Sequence, residues 1–126
     1  MDSHQLPFAQ INIIQKDIAE VIVNDGIEMN LEMVEDYHNF LQSHLVSPYS
    51  LLINKINKYT YDFDAQLKLA TLKEINVMAV VAYNNTTNLT TQSLAAMPRN
   101  KNWNLSIFPD REQALLWLIN QQKNVT

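Results

Sequence analysis

Few side chains in this chain of 126 residues have types and spacings that could perform chemistry. His38 and His44 are six residues apart, whereas paired metal ligands on a helix stand four apart, and His4 lies near the start of the chain. The chain has no cysteine, which excludes a thiol nucleophile, a disulfide framework and a cysteine-ligated metal. We therefore predict no metal site.

Acidic and hydroxyl side chains offer no better catalytic set. The acidic group Glu28, Glu32, Glu35 and Asp36 fits a solvated helix face better than an acid–base pair. Ser43 precedes His44 without the strained turn that a nucleophile needs. A single glycine, Gly26, cannot form a phosphate-cradling loop, which excludes Walker-type and dinucleotide-binding motifs. We predict no catalytic residue and no cofactor, and hence a protein that is not an enzyme.

Aromatic and polar residues follow three predicted strands and form a candidate binding rim. Strands ending at Ile56, Tyr83 and Phe108 would place loops 57–61, 84–88 and 109–111 on the carboxyl edge of a parallel sheet, where ligands of such sheets bind. The rim residues are Tyr59, Thr60, Tyr61, Tyr83, Asn84 and Arg111. This rim suits the head group of an amphipathic ligand or an acidic partner loop, although simple solvated loops remain an alternative.

The elements that would position the rim follow from apolar patterning. Residues 77–83 form an unbroken apolar run, which predicts a strand covered on both faces. Further strands are predicted at 10–15, 19–24, 49–56 and 103–108, and helices at 30–45, 64–75, 90–97 and after Asp110. Strands alternating with helices predict an α/β fold: a singly wound, mostly parallel five-stranded sheet with an opening antiparallel hairpin and about four helices.

The first predicted helix carries more apolar residues than one buried face needs. Leu31, Val34, Leu41 and Leu45 form its core stripe, and Met33, Tyr37 and Phe40 form a second row. A helix with two apolar rows often buries one against a partner, so this second row is a candidate face for a homodimer or another protein.

Composition limits the class of protein. A formal charge of −4 and scattered Lys and Arg residues argue against nucleic-acid binding. No signal peptide and no run of roughly 20 apolar residues is present, which predicts a cytoplasmic protein without a transmembrane segment. We expect one domain over residues 1–126, with a flexible start at 1–9 and a frayed end at 122–126.

The segment from residue 103 to residue 118 carries a family resemblance. Phe108 ends a strand, Asp110 and Arg111 form a short turn, and an Ala-x-x-Trp-Leu helix runs from Ala114 to Leu118. Together with the element order over about residues 10–121, this resembles the SpoIIAA-like or STAS-like family, in its uncharacterised bacterial branch. The resemblance implies a singly wound fold that serves as an accessory or regulatory domain.

One departure from that family bears on regulation. Its phosphorylated members carry an Asp-Ser-x-Gly type sequence before the helix that follows the third strand, whereas loop 57–64 has neither Ser nor Gly, and Thr60 is its only aliphatic hydroxyl. We therefore do not expect regulation by phosphorylation in that manner. The expected function is a non-enzymatic protein-interaction or regulatory module. The alternative is a carrier or sensor of a small apolar or amphipathic ligand at the carboxyl edge of the sheet.

Overall fold

The computed structural model describes residues 2–69, 71–96 and 104–125. Within these ranges the chain forms eight strands and four helices. The strands are β1 Asp2–Gln5, β2 Ala9–Gln15, β3 Ile18–Val23, β4 Glu28–Met29, β5 Tyr49–Asn54, β6 Thr60–Tyr61, β7 Ile75–Val81 and β8 Leu105–Phe108. The helices are α1 Leu31–His44, α2 Phe63–Lys68, α3 Asn85–Ala95 and α4 Arg111–Lys123.

Six strands form the main sheet, in the order β1-β2-β3-β5-β7-β8. The pairs β1–β2 and β2–β3 are antiparallel, and β3, β5, β7 and β8 run parallel. The parallel strands follow one another in chain order, which is the singly wound arrangement. The fold class is therefore α/β with a mixed sheet, as the sequence predicted.

The sheet has six strands, not the predicted five, because the start of the chain pairs with β2. Asp2 pairs with Ile13 and Gln5 with Gln10, and both Phe8, in the turn that follows, and Ala9, the first residue of β2, are buried. The expectation of a flexible segment over residues 1–9 did not foresee this strand. The side chains of β1 are mostly exposed and polar, so their pattern carries no signal of the backbone pairing.

Helices cover both faces of the sheet unequally. Helices α1 and α2 pack on one face with Leu51, Tyr49 and Met78, and α3 contributes Thr91 and Leu94 to the same side. Among the described helices, α4 packs on the other face, through Ala114 and Leu118 against Leu52, Val77, Ala79 and Val81. The predicted interior strand is confirmed, since β7 lies between β5 and β8 and residues 77–82 are buried on both faces.

Several predicted boundaries move. Helix α2 ends at Lys68, well before residue 75, and α3 begins at Asn85 because Asn84 caps it by accepting a hydrogen bond from the Thr87 N–H. The expected loop 84–88 is thus mostly the first turn of α3. The predicted end of the third helix, at residue 97, and the predicted start of the last strand, at residue 103, lie outside the described residues.

The end of the chain is ordered further than expected. Helix α4 continues to Lys123, and Gln122 is buried on its inner side. The frayed segment predicted for residues 122–126 therefore excludes Gln122, whose side chain is fixed by the sheet. None of the described helices is long and apolar enough to cross a membrane.

A second, small sheet positions the segment before α2. Strands β4 and β6 pair in parallel, with Glu28 opposite Thr60 and Met29 opposite Tyr61. The Asp62 side chain then accepts a hydrogen bond from the Ala65 N–H and caps α2. This two-residue pairing fixes the backbone of the predicted tyrosine-rich loop against the strand that precedes α1.

Candidate functional site

The predicted rim divides between the two faces of the sheet. Tyr59, Thr60 and Asn84 line one open cleft at the carboxyl edge, and Tyr59 and Tyr61 also line a cavity beneath it. Tyr83 and Arg111 instead belong to a hydrogen-bond network on the face that α4 covers. The edge location was thus predicted, but the six residues do not form one site.

Lys55 lines both the cleft and the cavity. It follows β5, in which every second side chain lies on the face covered by α1 and α2. These side chains are Tyr49, Leu51 and Ile53. The next position in that alternation is Lys55, and its backbone N–H donates to the Val81 carbonyl, so pairing with β7 continues past the strand end. Lys55 and Tyr59 are the two residues that the described linings of both spaces have in common.

The cavity is apolar and small. Its volume is about 50 Å³, and Lys55 is the one cationic residue among its described lining. Its walls include Val80 and Met78 from β7 and Thr91 and Leu94 from α3. A space of this size holds a few carbon atoms, since a water molecule occupies about 30 Å³ in the liquid.

The cleft is larger, open and polar. It has a volume of about 570 Å³, within the range of small-molecule sites. Its described lining residues are Gly26, Ile27, Lys55, Asn57, Lys58, Tyr59, Thr60, Asn84, Thr86, Thr87 and Thr90. Two of these are lysines and none is acidic, although the whole chain carries a formal charge of −4. The cleft therefore favours an anion over a cation.

Lys55 has aromatic neighbours in place of a carboxylate. Its Nζ lies 5.5 Å from the centroid of the Tyr59 ring and 5.8 Å from that of Tyr61, which is cation–π distance. Over residues 2–69, 71–96 and 104–125 the one ion pair joins Arg111 to Glu20, so Lys55 has no acidic partner there. Burial lowers the pKa of Lys55 to about 8.

The two tyrosines beside Lys55 form a fixed pair. Their hydroxyl oxygens are 3.2 Å apart and their rings meet edge to face at 5.4 Å. Burial raises the pKa of Tyr61 to about 12, and burial with the neighbouring phenols raises that of Tyr59 well above its ordinary value. Both phenols therefore stay protonated and neutral near pH 7, and they add no negative charge beside the amine.

A separate polar network lies under the start of α4. The Glu20 carboxylate accepts hydrogen bonds from Arg111, Asn54 and Asn12, and the Tyr83 hydroxyl donates to Asn54 Oδ1 at 2.9 Å. Burial raises the pKa of Glu20, but the hydrogen bonds from Arg111, Asn54 and Asn12 outweigh it and lower the pKa overall. All acceptor positions of Glu20 face protein donors, so this cluster joins α4 to the sheet and leaves little capacity for a ligand.

The three residues of the predicted partner face on α1 differ in their burial. Tyr37 is buried in the core, while Met33 and Phe40 are partly buried and pack against it. The Phe40 ring stacks on His44 at 3.9 Å and meets His4 of β1 at 5.1 Å. Leu31, expected in the core stripe, is 39% exposed. Tyr37 and His38 are instead buried on the inner side of α1.

Sequence reasoning missed Lys55 and Glu20, the two charged residues at the centre of these clusters. Lys55 lies near the end of the predicted strand 49–56, and no role was predicted for it from the sequence. The usable signal was its place in the alternation with Tyr49, Leu51 and Ile53, all on the core side. Glu20 could have been noticed in a similar way, because it is the one charged residue in a strand made otherwise of Ile, Val and Ala.

The comparisons with known proteins add no assignment. No family model matches the chain, and no curated protein or solved structure matches it. The SpoIIAA-like resemblance therefore stays a prediction. In the described part of the chain, no group of three His, Cys, Asp or Glu side chains could hold a metal ion.

Proposed function

We propose that the protein binds a small organic anion with a short apolar end, as a carrier or sensor, in the cleft at the carboxyl edge of the sheet. The observation that carries this proposal is that Lys55 lines both the apolar cavity and the open cleft. The amine has no carboxylate partner in the described chain, so it can pair with a bound anion.

The two spaces suit the two ends of such a ligand. An alkyl end enters the cavity beside Val80 and Leu94, and the anionic end lies in the cleft near Lys55 and Lys58. An anion 4 Å from an ammonium group in a partly buried site gains about 4 kcal/mol of Coulomb energy. Part of that gain offsets the desolvation that lowers the pKa of Lys55.

Titration calorimetry with butanoate and with butylamine tests this proposal. Butanoate should bind and butylamine should not, because the described lining of the cleft has two lysines and no acid. Lys55→Met should weaken butanoate binding about tenfold or more. Lys123→Met, at the far end of α4, is the matched control and should bind as the wild type does. Equal weak binding of both compounds, or of butanoate to both variants, would contradict the proposal.

A second candidate function is a protein-interaction or regulatory module of the SpoIIAA-like type, and one observation favours it. On α2, Phe63 is 67% exposed and Leu67 is 48% exposed, and the two are four residues apart on one side of the helix. With Tyr37 buried, this pair is a better candidate contact than the α1 row. Sedimentation at micromolar concentration tests the homodimer form of this hypothesis, since Phe63→Glu should dissociate a dimer built on α2.

A further inference from the structure

We propose that Lys55 forms a reversible imine with a carbonyl ligand, and that the ligand class is short-chain 2-oxo acids. This inference rests on the proposed function and adds a covalent step to it. Such an acid combines three groups that the site accommodates separately: an anionic carboxylate, an adjacent ketone and a short alkyl chain.

The position of the amine is the first argument. Lys55 lines both spaces, so a ligand with its alkyl chain in the cavity and its carboxylate in the cleft would bring the intervening carbonyl carbon close to this side chain. The rings of Tyr59 and Tyr61, 5.5 and 5.8 Å from Nζ, limit the directions that the amine can take. A ligand held at both ends therefore presents its carbonyl to a restrained nucleophile.

The protonation state of the amine is the second argument. An amine must lose its proton before it can attack a carbonyl, and an ordinary lysine is almost fully protonated at neutral pH. Burial lowers the pKa of Lys55 to about 8. In the ligand-free protein about one amine in ten is then unprotonated at pH 7, roughly 250 times the fraction for an exposed lysine. No described carboxylate pairs with Lys55 to restore the charged form.

The reaction balances without an oxidant or a reductant. The unprotonated nitrogen attacks the carbonyl carbon and forms a C–N bond, while the carbonyl oxygen takes up a proton to give a carbinolamine. Nitrogen then loses one proton and its electron pair forms the C=N bond, while the hydroxyl group takes up a second proton and leaves as water. The iminium nitrogen finally gives up its remaining proton. The net change is amine plus ketone to imine plus water, and hydrolysis reverses it.

The size of the cavity sets the chain length. About 50 Å³ accepts a methyl or ethyl group and excludes a long acyl chain. The probe is therefore 2-oxobutanoate, and butanoate is its unreactive counterpart because it lacks the ketone. The walls contributed by Val80 and Leu94 would contact the ethyl group.

The experiment is reductive trapping. The full chain is incubated with 2-oxobutanoate and sodium cyanoborohydride, and the adducts are measured by intact mass and peptide mapping. We expect one main adduct, on Lys55, whose rate rises with pH toward a midpoint near the pKa of about 8. An excess of butanoate should slow its formation. Lys55→Arg should lose this adduct, and Lys123→Arg, which alters an exposed lysine on α4, should retain it.

Three results would overturn the inference: adducts spread evenly over the surface lysines, an unchanged total adduct in Lys55→Arg, or no protection by butanoate. Mapping on the wild-type chain decides the question even if Lys55→Arg folds poorly. Calorimetry separates the two levels of the proposal. If butanoate binds but Lys55 is not modified, the imine is wrong and the binding function stands, whereas if butanoate does not bind, the proposed function itself is wrong.

Discussion

Arg111, the first residue of α4, donates two hydrogen bonds to the carboxylate of Glu20, in the middle of β3. Arg111 Nε lies 2.8 Å from Glu20 Oε2, and Arg111 Nη2 lies 3.0 Å from Glu20 Oε1. The two residues are 91 positions apart in the chain. This pair and the Gln122 contacts fix both ends of α4 to the sheet, so the helix is oriented by polar groups as well as by its apolar side.

Replacing Arg111 with Ala should destabilise the fold, because Glu20 would remain buried with only amide donors. We expect a loss of about 2 kcal/mol, less than the roughly 3–5 kcal/mol of a fully buried pair, since the Arg111 side chain is 38% exposed. Urea denaturation at pH 7 measures it. Adding Glu20→Gln to Arg111→Ala should recover part of the loss, and no recovery would show that Arg111 acts mainly through packing.

The same pair predicts a sensitivity to acid. The folded pKa of Glu20 is below its ordinary value of 4.5, so its stabilisation is present above pH 4.5 and is lost as the pH falls through the folded pKa. The difference in stability between the wild type and Arg111→Ala should therefore shrink in strong acid. A constant difference down to pH 2 would contradict the charge-based explanation.

Gln122→Ala tests the attachment of the other end of α4. The Gln122 amide accepts from Ser50 and Asn76, and it donates to Asp17 and to the Pro48 carbonyl. Truncation would leave these groups partly unpaired, at a cost of about 1–3 kcal/mol in the free energy of unfolding. Gln121→Ala is the matched control on the same turn. Equal stability of the two variants would show that residue 122 frays, as the sequence alone suggested.

The sequence predicted the parts of this fold that depend on apolar patterning and on caps. Strand β7 was predicted from an unbroken apolar run, and α1 and α4 from the N-caps Asn30 and Asp110. Strands β1, β4 and β6 were missed for a physical reason. They are held by backbone hydrogen bonds between short segments, and two-residue strands are too short to show alternation.

The sequence predicted where the candidate cleft lies in the fold, but not which residues line it. The carboxyl edge of a parallel sheet follows from the element order, and Tyr59, Thr60 and Asn84 do line the cleft there. Tyr83 and Arg111 lie apart from the cleft because their side chains turn toward the opposite face of the sheet. Loops have no regular side-chain period, so the sequence does not show which face a loop residue takes. The alternation of β5 indicates which face Lys55 takes, but the burial of its amine depends on packing that the sequence does not show.

His38 should give the protein a second acid-dependent loss of stability. Burial is the main cause that lowers the pKa of His38 to about 4, with a smaller contribution from the charge of Lys68 and an opposing one from Glu74. Its Nε2 is buried without a hydrogen-bond partner in the described structure. An unfolded chain takes up the proton below about pH 6.5, whereas the folded chain does not until about pH 4.

Stability should therefore be complete above pH 6.5 and fall between pH 6.5 and pH 4, by at most about 3 kcal/mol. Denaturation of the wild type and of His38→Gln across this range measures the effect. The variant should show a flatter dependence in this window and the same loss at lower pH, where Glu20 titrates. Parallel curves for the two proteins would show that His38 is not the titrating group.

Val80→Ile tests the cavity. Val80 is buried and lines it, so one added methylene should fill empty space and raise the stability by up to about 0.8 kcal/mol. The same change should weaken butanoate binding. Val77→Ile is the control, because Val77 is equally buried on the α4 face and outside the described cavity lining, and overpacking there should cost about 1–3 kcal/mol. Destabilisation by both changes would argue against a usable cavity.

We expect the substitution Lys55→Met to raise the stability of the folded protein and, at the same time, to weaken butanoate binding. At pH 7 the folded protein carries an ammonium group whose pKa burial has lowered from 10.5 to about 8. The unfolded chain holds that proton more tightly, so the wild type should become more stable as the pH rises from 8 toward 10.5. Met has a similar length and no charge. Lys55→Met should therefore be more stable than the wild type at pH 7 by about 1–3 kcal/mol, with the difference narrowing by pH 10.

Denaturation at pH 7 and pH 10, with Lys58→Met as the control from the exposed wall of the cleft, measures this gain. A lysine that destabilises the empty protein is expected where the amine serves a ligand, because a bound anion restores the missing partner. Butanoate should accordingly stabilise the wild type and leave Lys55→Met unchanged. If Lys55→Met proved less stable than the wild type at pH 7, the contacts with Tyr59 and Tyr61 would outweigh desolvation. Lys55 would then be a structural residue of the core.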